Sequence, residues 1–306
     1  MDIDLIRLNI NETSITILNI IIALLMYSIA LELKLKDFKS IFAKPKSLFL
    51  GLSLHLLFFP IMTIFFIQLF DLRASIALGL IMITASPIGN LANLMTMLGK
   101  GHIALSVGLT SLTNLFSLIT TPIFIVFLGR FNETTAHYLQ AIQLDQKKIL
   151  EGVFMVLGIP VLLGMLTSYY TPKVAEKIHQ KMKKISSLFL LFFVLSALIV
   201  NFQHFLNHVR EIFSITFAFH LLTILITLIM IKIAKVSWPQ AKSLLLTGVM
   251  KNSGLGFSLA IQFFPQLGGM ALLIAFATIS QLLTGFLLVK IFNKKSTFMT
   301  DTKDNL

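Results

Sequence analysis

Nine stretches of this chain are apolar over about the length a helix needs to cross a hydrocarbon core roughly 30 Å thick. They cover residues 15–33, 47–70, 74–98, 102–129, 149–170, 185–207, 211–235, 240–264 and 267–292. In hydrocarbon every backbone N–H and C=O must find its partner within the protein, so each stretch is read as a helix. The composition agrees. Of 306 residues only 12% are charged while 56% are hydrophobic, against roughly 25% charged in soluble domains. The expectation is an all-α membrane protein of about nine transmembrane helices, a single membrane domain over residues 1–306 with no soluble part. The absence of cysteine excludes disulfides, thiolate catalysis and zinc–thiolate centres, and no cofactor is implied.

The 25 Lys and Arg residues punctuate the apolar runs instead of gathering into one patch. That distribution points to a lipid bilayer, and not to nucleic acid, as the partner; nothing in it implies a protein partner. Sorted into alternate loops, eighteen fall on one side, among them Lys34, Lys46, Lys100, Lys177, Lys242 and Lys290, and six on the other: Arg7, Arg73, Arg130, Lys147, Lys148 and Arg210. Loops rich in Lys and Arg stay in the cytoplasm. The N-terminus is therefore expected outside and the C-terminus inside, in a plasma (inner) membrane. The leading MDIDLIRLNINET is acidic and the first run long, so that run is expected to stay in the mature protein. Residues 34–46 read as an amphipathic interfacial helix facing lipid with Phe38, Ile41 and Phe42, and 293–306 as a polar tail.

Two runs are interrupted near their middle. The third contains Pro87, Gly89 and Asn90; the eighth contains Lys251, Asn252, Ser253 and Gly254. Proline ends a helix before itself and Asn or Ser caps the next, so each run is read as two half-helices. Packing kinks would explain one such break, but polar interruptions at corresponding places in two halves of a chain mark the binding site of a secondary transporter. Runs three and eight are five apart, and a five-helix repeat is inverted because an odd number of crossings reverses direction. Nine runs then make two inverted repeats with the first helix missing. Half-helices starting after Asn90 and after Ser253 offer unpaired N–H groups to an anion, while those ending near Ser86 and Met250 offer carbonyls to a cation. An organic anion is the expected cargo.

Lys251 is the remaining basic residue, at membrane depth, where a charge costs at least about 2.5 to 3.5 kcal/mol. All thirteen Asp and Glu residues fall in loops or near run ends, so no midplane carboxylate is available to it. Half-helix carbonyls, hydroxyls and the anion itself are its expected partners. His55 and His220 also fall within runs and are read as hydrogen-bonded packing residues, and His204 and His208 as interfacial at the outer end of the sixth run. A different class of function, an intramembrane enzyme with Ser253 as nucleophile and Lys251 as base, requires residues i and i+2 to meet on unwound backbone. The chain is read as a carrier, not an enzyme.

Three segments in order, ALELKLKDFKSIFAKPK, ASPIGNLANLMTMLGKGHIALSVGLTS and VMKNSGLG, resemble the bile acid:sodium symporter family. The resemblance implies panel and core domains and two broken helices that cross. The panel takes the runs at 15–33, 149–170 and 185–207, and the core takes 47–129 and 211–292. It implies a substrate region at Asn90, Asn252, Ser253 and Gly254, with Lys251 and His55 beside it. Of the family's first sodium site, Asn93, Ser106 and Thr110 match, but Ala92 stands for a serine and Thr247 for the shared glutamate. Of the second, both glutamines are replaced, by Lys251 and His55. The expectation is a carrier working by alternating access with the Lys251 ammonium in place of sodium and little or no sodium dependence. The alternative is a sodium-coupled symporter using the partial site at Asn93, Ser106 and Thr110, with Thr247 as a degenerate fourth member.

Overall fold

The computed structural model describes residues 3–7, 12–32, 45–131, 133–141, 151–152 and 154–301. Most of these residues are helical, with no strand among them. The protein is an integral membrane protein: five of its helical stretches, Glu12–Leu31, Pro45–Leu69, Ile103–Leu128, Phe202–Ala234 and Gly268–Lys294, are long and apolar enough to cross a bilayer. The expected interfacial helix at 34–46 lies almost wholly outside the described residues.

Three helices form one packed group. They are α1 (Glu12–Glu32), α8 (Ile159–Tyr170, preceded by a wide π-helical turn at Phe154–Gly158) and α9 (Pro172–Val200). Small residues let α1 and α8 meet closely: a Cβ on Gly164 would lie 2.6 Å from both Tyr27 O and Ala30 Cβ. Such contacts replace the hydrophobic drive that lipid does not supply. Tyr27 Oη adds a bond to Thr167 Oγ1 at 3.0 Å.

The other helices pack around the interrupted runs. These are α2 (Pro45–Ser53), a π turn at Leu54–Phe58, α3 (Phe59–Leu69), α4 (Ala74–Ala85), α5 (Leu91–Leu98), α6 (Ile103–Leu128) and the short α7 (Glu133–Ala141). After the first group come α10 (Phe202–Ala234), α11 (Trp238–Val249), α12 (Ser253–Phe263) and α13 (Gly268–Asp301). The π turn follows from Pro60, which has no N–H to donate one turn back; Phe59 N reaches Leu54 O instead, a bond of wider register.

Two boundaries differ from expectation. The turn between the sixth and seventh runs falls at Asn201, so His204 and His208 open α10 instead of closing the helix before it. Charge near 210 suggested a loop, but His208 Nδ1 and Glu211 Oε2 approach to 3.8 Å one turn apart and the helix passes through. The polar tail continues α13 as far as Asp301.

At one end of the bundle, residues 3–7 lodge between the starts of α4 and α13. Gly268 N donates to Ile6 O at 2.8 Å, and Asp4 Oδ1 accepts from Ser75 N at 2.8 Å in the first turn of α4. A carboxylate there satisfies an orphan donor and complements the helix dipole, worth about 1 kcal/mol. Asp4→Ala is accordingly expected to lower the melting temperature by a few degrees with the helix content unchanged, measured by thermal denaturation in detergent. At the opposite end Lys242, expected in a cytoplasmic loop, is buried, and its Nζ donates to Gly99 O at 3.0 Å just past the end of α5.

Candidate functional site at the crossing of two broken helices

Pro87 forces Ser86 into extended backbone (φ −70°, ψ 142°), which ends α4. The chain resumes as α5 at Leu91. In the second break, Met250 leaves the helix at φ −86°, ψ 83°, and Asn252 caps α12, its Oδ1 accepting from Leu255 N at 3.2 Å. The cap is thus Asn252, one residue before the expected Ser253. Asn90 has helical backbone and its side chain makes no capping bond.

The two unwound segments lie antiparallel, with Ile88 opposite Lys251. Gly89 N donates to Met250 O at 2.9 Å and Asn252 N to Pro87 O at 2.8 Å. Each break therefore satisfies backbone groups that the other exposes, the condition for non-helical backbone at membrane depth. A Cβ on Gly89 would lie 2.9 Å from Lys251 O, so only glycine permits this approach.

A polar face of α6, expected only at Ser106 and Thr110, completes the support. Ile88 N donates to Thr113 Oγ1 at 3.2 Å, Asn114 Nδ2 to Ile88 O at 3.2 Å, and Thr121 Oγ1 to Ala85 O at 2.7 Å. The signal was present: Thr110, Thr113, Asn114, Ser117 and Thr121 recur at helical spacing within an apolar run.

Lys251 reaches back across the crossing. Its Nζ lies 2.9 Å from His55 Nδ1 and donates to Thr84 O at 3.3 Å and Ser86 O at 3.5 Å. It also stands 5.5 Å from the centroid of the Phe59 ring, within cation–π range. The last carbonyls of α4 are thus among the partners, as the sequence implied, because Pro87 lacks an N–H and Ile88 N is taken by Thr113. His55 is a direct partner of the lysine. When Lys251 is an ammonium it has no lone pair, and His55 Nδ1 then accepts while the second ring nitrogen carries the proton. Phe59, Thr84, Lys251, His220 and Thr223 line one small cavity. His220 Nδ1 also meets Ser280 Oγ at 3.4 Å, in keeping with a packing role.

The residues of the expected substrate region come together. Asn90 and Asn252 are half-buried at the crossing and Ser253 is buried with its Oγ unpartnered among the described residues. Ser253 Oγ and Lys251 Nζ do not meet as a nucleophile–base pair would. Gly254 faces the other helix group: a Cβ there would lie 2.5 Å from Leu190 Cδ2 of α9. Sequence reasoning missed Leu190, because one leucine in an apolar helix carries no mark of its neighbour.

The partial sodium set also gathers. Asn93 Oδ1 accepts from Ser106 Oγ at 2.7 Å and Thr110 Oγ1 at 3.1 Å, and Thr96 Oγ1 donates to Ser106 Oγ at 3.2 Å. Thr247 Oγ1 instead bonds back to Ser243 O at 2.8 Å in its own helix. A carboxylate there would supply the negative charge that the hydroxyl lacks; three neutral oxygens are the weaker set for a monovalent cation.

Residues 19–208 match the model of the Sodium Bile acid symporter family. The chain is 24% identical over 278 residues to the "Uncharacterized sodium-dependent transporter YocS" of Bacillus subtilis, covering 91% of this chain and 83% of that one. It is 25% identical over 239 residues to the "Probable sodium/metabolite cotransporter BASS1, chloroplastic" of Arabidopsis thaliana, covering 78% of this chain and 57% of that one. With the "P3 protein" of Homo sapiens it shares 26% identity over 164 residues, 54% of this chain and 33% of that protein.

Proposed function

Since this chain belongs to the Sodium Bile acid symporter family, a family of membrane transporters, we propose that it is a secondary carrier of an organic anion, small carboxylate or amphipathic sterol-like acid, in which Lys251 takes the place of a sodium ion. The observation that carries this reading is the crossing itself. Two half-helices start beside the crossing, at Leu91 and Ser253, and the half-buried Lys251 between the breaks is held by carbonyls of a third half-helix. Helix N-termini and an ammonium favour the same ligand, an anion.

Transport follows from alternating access, with the panel (α1, α8 and α9) rocking against the core. Leu190 over Gly254 is a contact between them beside the crossing, so it is expected to part for a substrate to reach Asn90, Asn252, Ser253 and Gly254. The expected setting is the plasma (inner) membrane with the N-terminus outside.

A second reading, sodium coupling through Asn93, Ser106 and Thr110, draws support from the convergence of these three side chains and from the sodium-dependent names of relatives. Uptake of radiolabelled organic anions into proteoliposomes separates the two. Lys251→Ala is expected to lower uptake at least about tenfold, the loss of one charge-assisted contact to the anion, and sodium titration to change the wild-type rate little. Wild-type uptake by Lys251→Ala would sink the role of the lysine, and a steep sodium requirement would favour the second reading.

A further inference from the structure

We propose that Lys251 releases and rebinds a proton in each transport cycle, so that H⁺ is the coupling ion of this carrier. The inference rests on the reading of Lys251 as the cation of the site. A gradient drives transport only when the coupling cation binds from one side and leaves on the other, since a ligand held equally in both states shifts nothing. A sodium ion can leave; the nitrogen of Lys251 is tethered to the chain. The one part of this cation able to depart is its proton.

The surroundings suit that exchange. The oxygens at 3.3 Å and 3.5 Å are neutral carbonyls, and the Phe59 face is neutral as well. No carboxylate pairs with Lys251 Nζ among the described residues, whereas an ion-paired lysine would have its proton pinned. The facing titratable groups are two: His55 from the π turn, at 2.9 Å, and His220 from α10, across the shared cavity. Helices α3, α4, α6 and α12 carry none, Lys242 of α11 is bound at the far end to Gly99 O, and the lysines of α13 begin at Lys290.

The step balances. An N–H bond of the ammonium breaks, its electron pair stays on Nζ, and the lone pair of His55 Nδ1 takes the proton to give an imidazolium. Water on the open side then removes the proton, and rebinding reverses the sequence. The charged amine attracts the anion, and the neutral amine returns without carrying an uncompensated charge across the bilayer. A monovalent anion would thus move electroneutrally.

Potentiometric titration of the purified full-length protein in detergent tests this without knowledge of the substrate. If Lys251 exchanges its proton near neutral pH, wild type takes up, between about pH 9 and about pH 6, about one proton per chain more than Lys251→Arg, whose guanidinium keeps its charge throughout. Comparing His55→Gln with His55→Gln/Lys251→Arg removes the imidazole from the count, and the same difference is expected. Equal proton uptake within either pair overturns the proposal. Loss of Lys251-dependent anion uptake with the proton difference intact would instead overturn the carrier reading.

Discussion

Gly89→Ala is expected to abolish transport and to destabilise the protein by about 1 to 3 kcal/mol, the range for forcing an extra carbon into a packed site. The new methyl would lie 2.9 Å from Lys251 O, 3.2 Å from Lys251 C and 3.4 Å from Asn252 N. All three are backbone atoms with no rotamer to give way. They are also tied in place by the bonds of Gly89 N to Met250 O and Asn252 N to Pro87 O. Relief therefore requires the two segments to separate, which exposes backbone groups that hydrocarbon does not solvate. Gly285→Ala is the control, because its nearest neighbour is Met250 Sδ at 3.1 Å, part of a flexible side chain. Melting temperatures in detergent and anion uptake in proteoliposomes read both effects. A Gly89→Ala protein that melts and transports like wild type would refute the tight crossing.

Lys251→Met is expected to separate stability from function. Methionine is of similar length and fits among Phe59, Met62 and Val249, which line the adjoining cavity. Removing a charge from membrane depth recovers about 2.5 to 3.5 kcal/mol on insertion scales. Against this, His55 Nδ1 and Thr84 O lose their donor, at about 1 to 3 kcal/mol for a buried polar group left unpaired. The two nearly cancel, so the variant is expected to melt within a few degrees of wild type. Uptake, however, is expected to fall at least about tenfold, because the anion loses its countercharge. A large fall in melting temperature would make Lys251 a structural residue and sink the functional reading.

Much of the site was legible before any coordinates. Pro87 announces a helix end because it has no N–H, and an Asn–Ser pair announces a cap, which the sequence put at Ser253 and the structure puts one residue earlier, at Asn252; both are local rules of covalent structure. Lys251 stood out by cost alone. The pairing of Lys251 with His55, 196 residues earlier in the chain, was not legible as a contact. Apolar periodicity fixes how deep a residue lies along a helix, not which neighbour its helix turns toward. The same ignorance hid Leu190 and the Asn201 boundary, where a charged turn stayed helical.

From the sequence by itself came the solvent, the helical class, the two breaks and one lysine without a carboxylate. These depend on chain-local quantities: hydropathy, the missing donor of proline and the price of a charge in lipid. Tertiary structure alone decided that the breaks lie back to back, that Gly89 permits the approach, that a polar stripe on α6 braces them and that His55 faces the lysine. Each of those is a matter of rotation and register between helices distant in sequence, set by packing and mutual hydrogen bonding, which no single segment encodes.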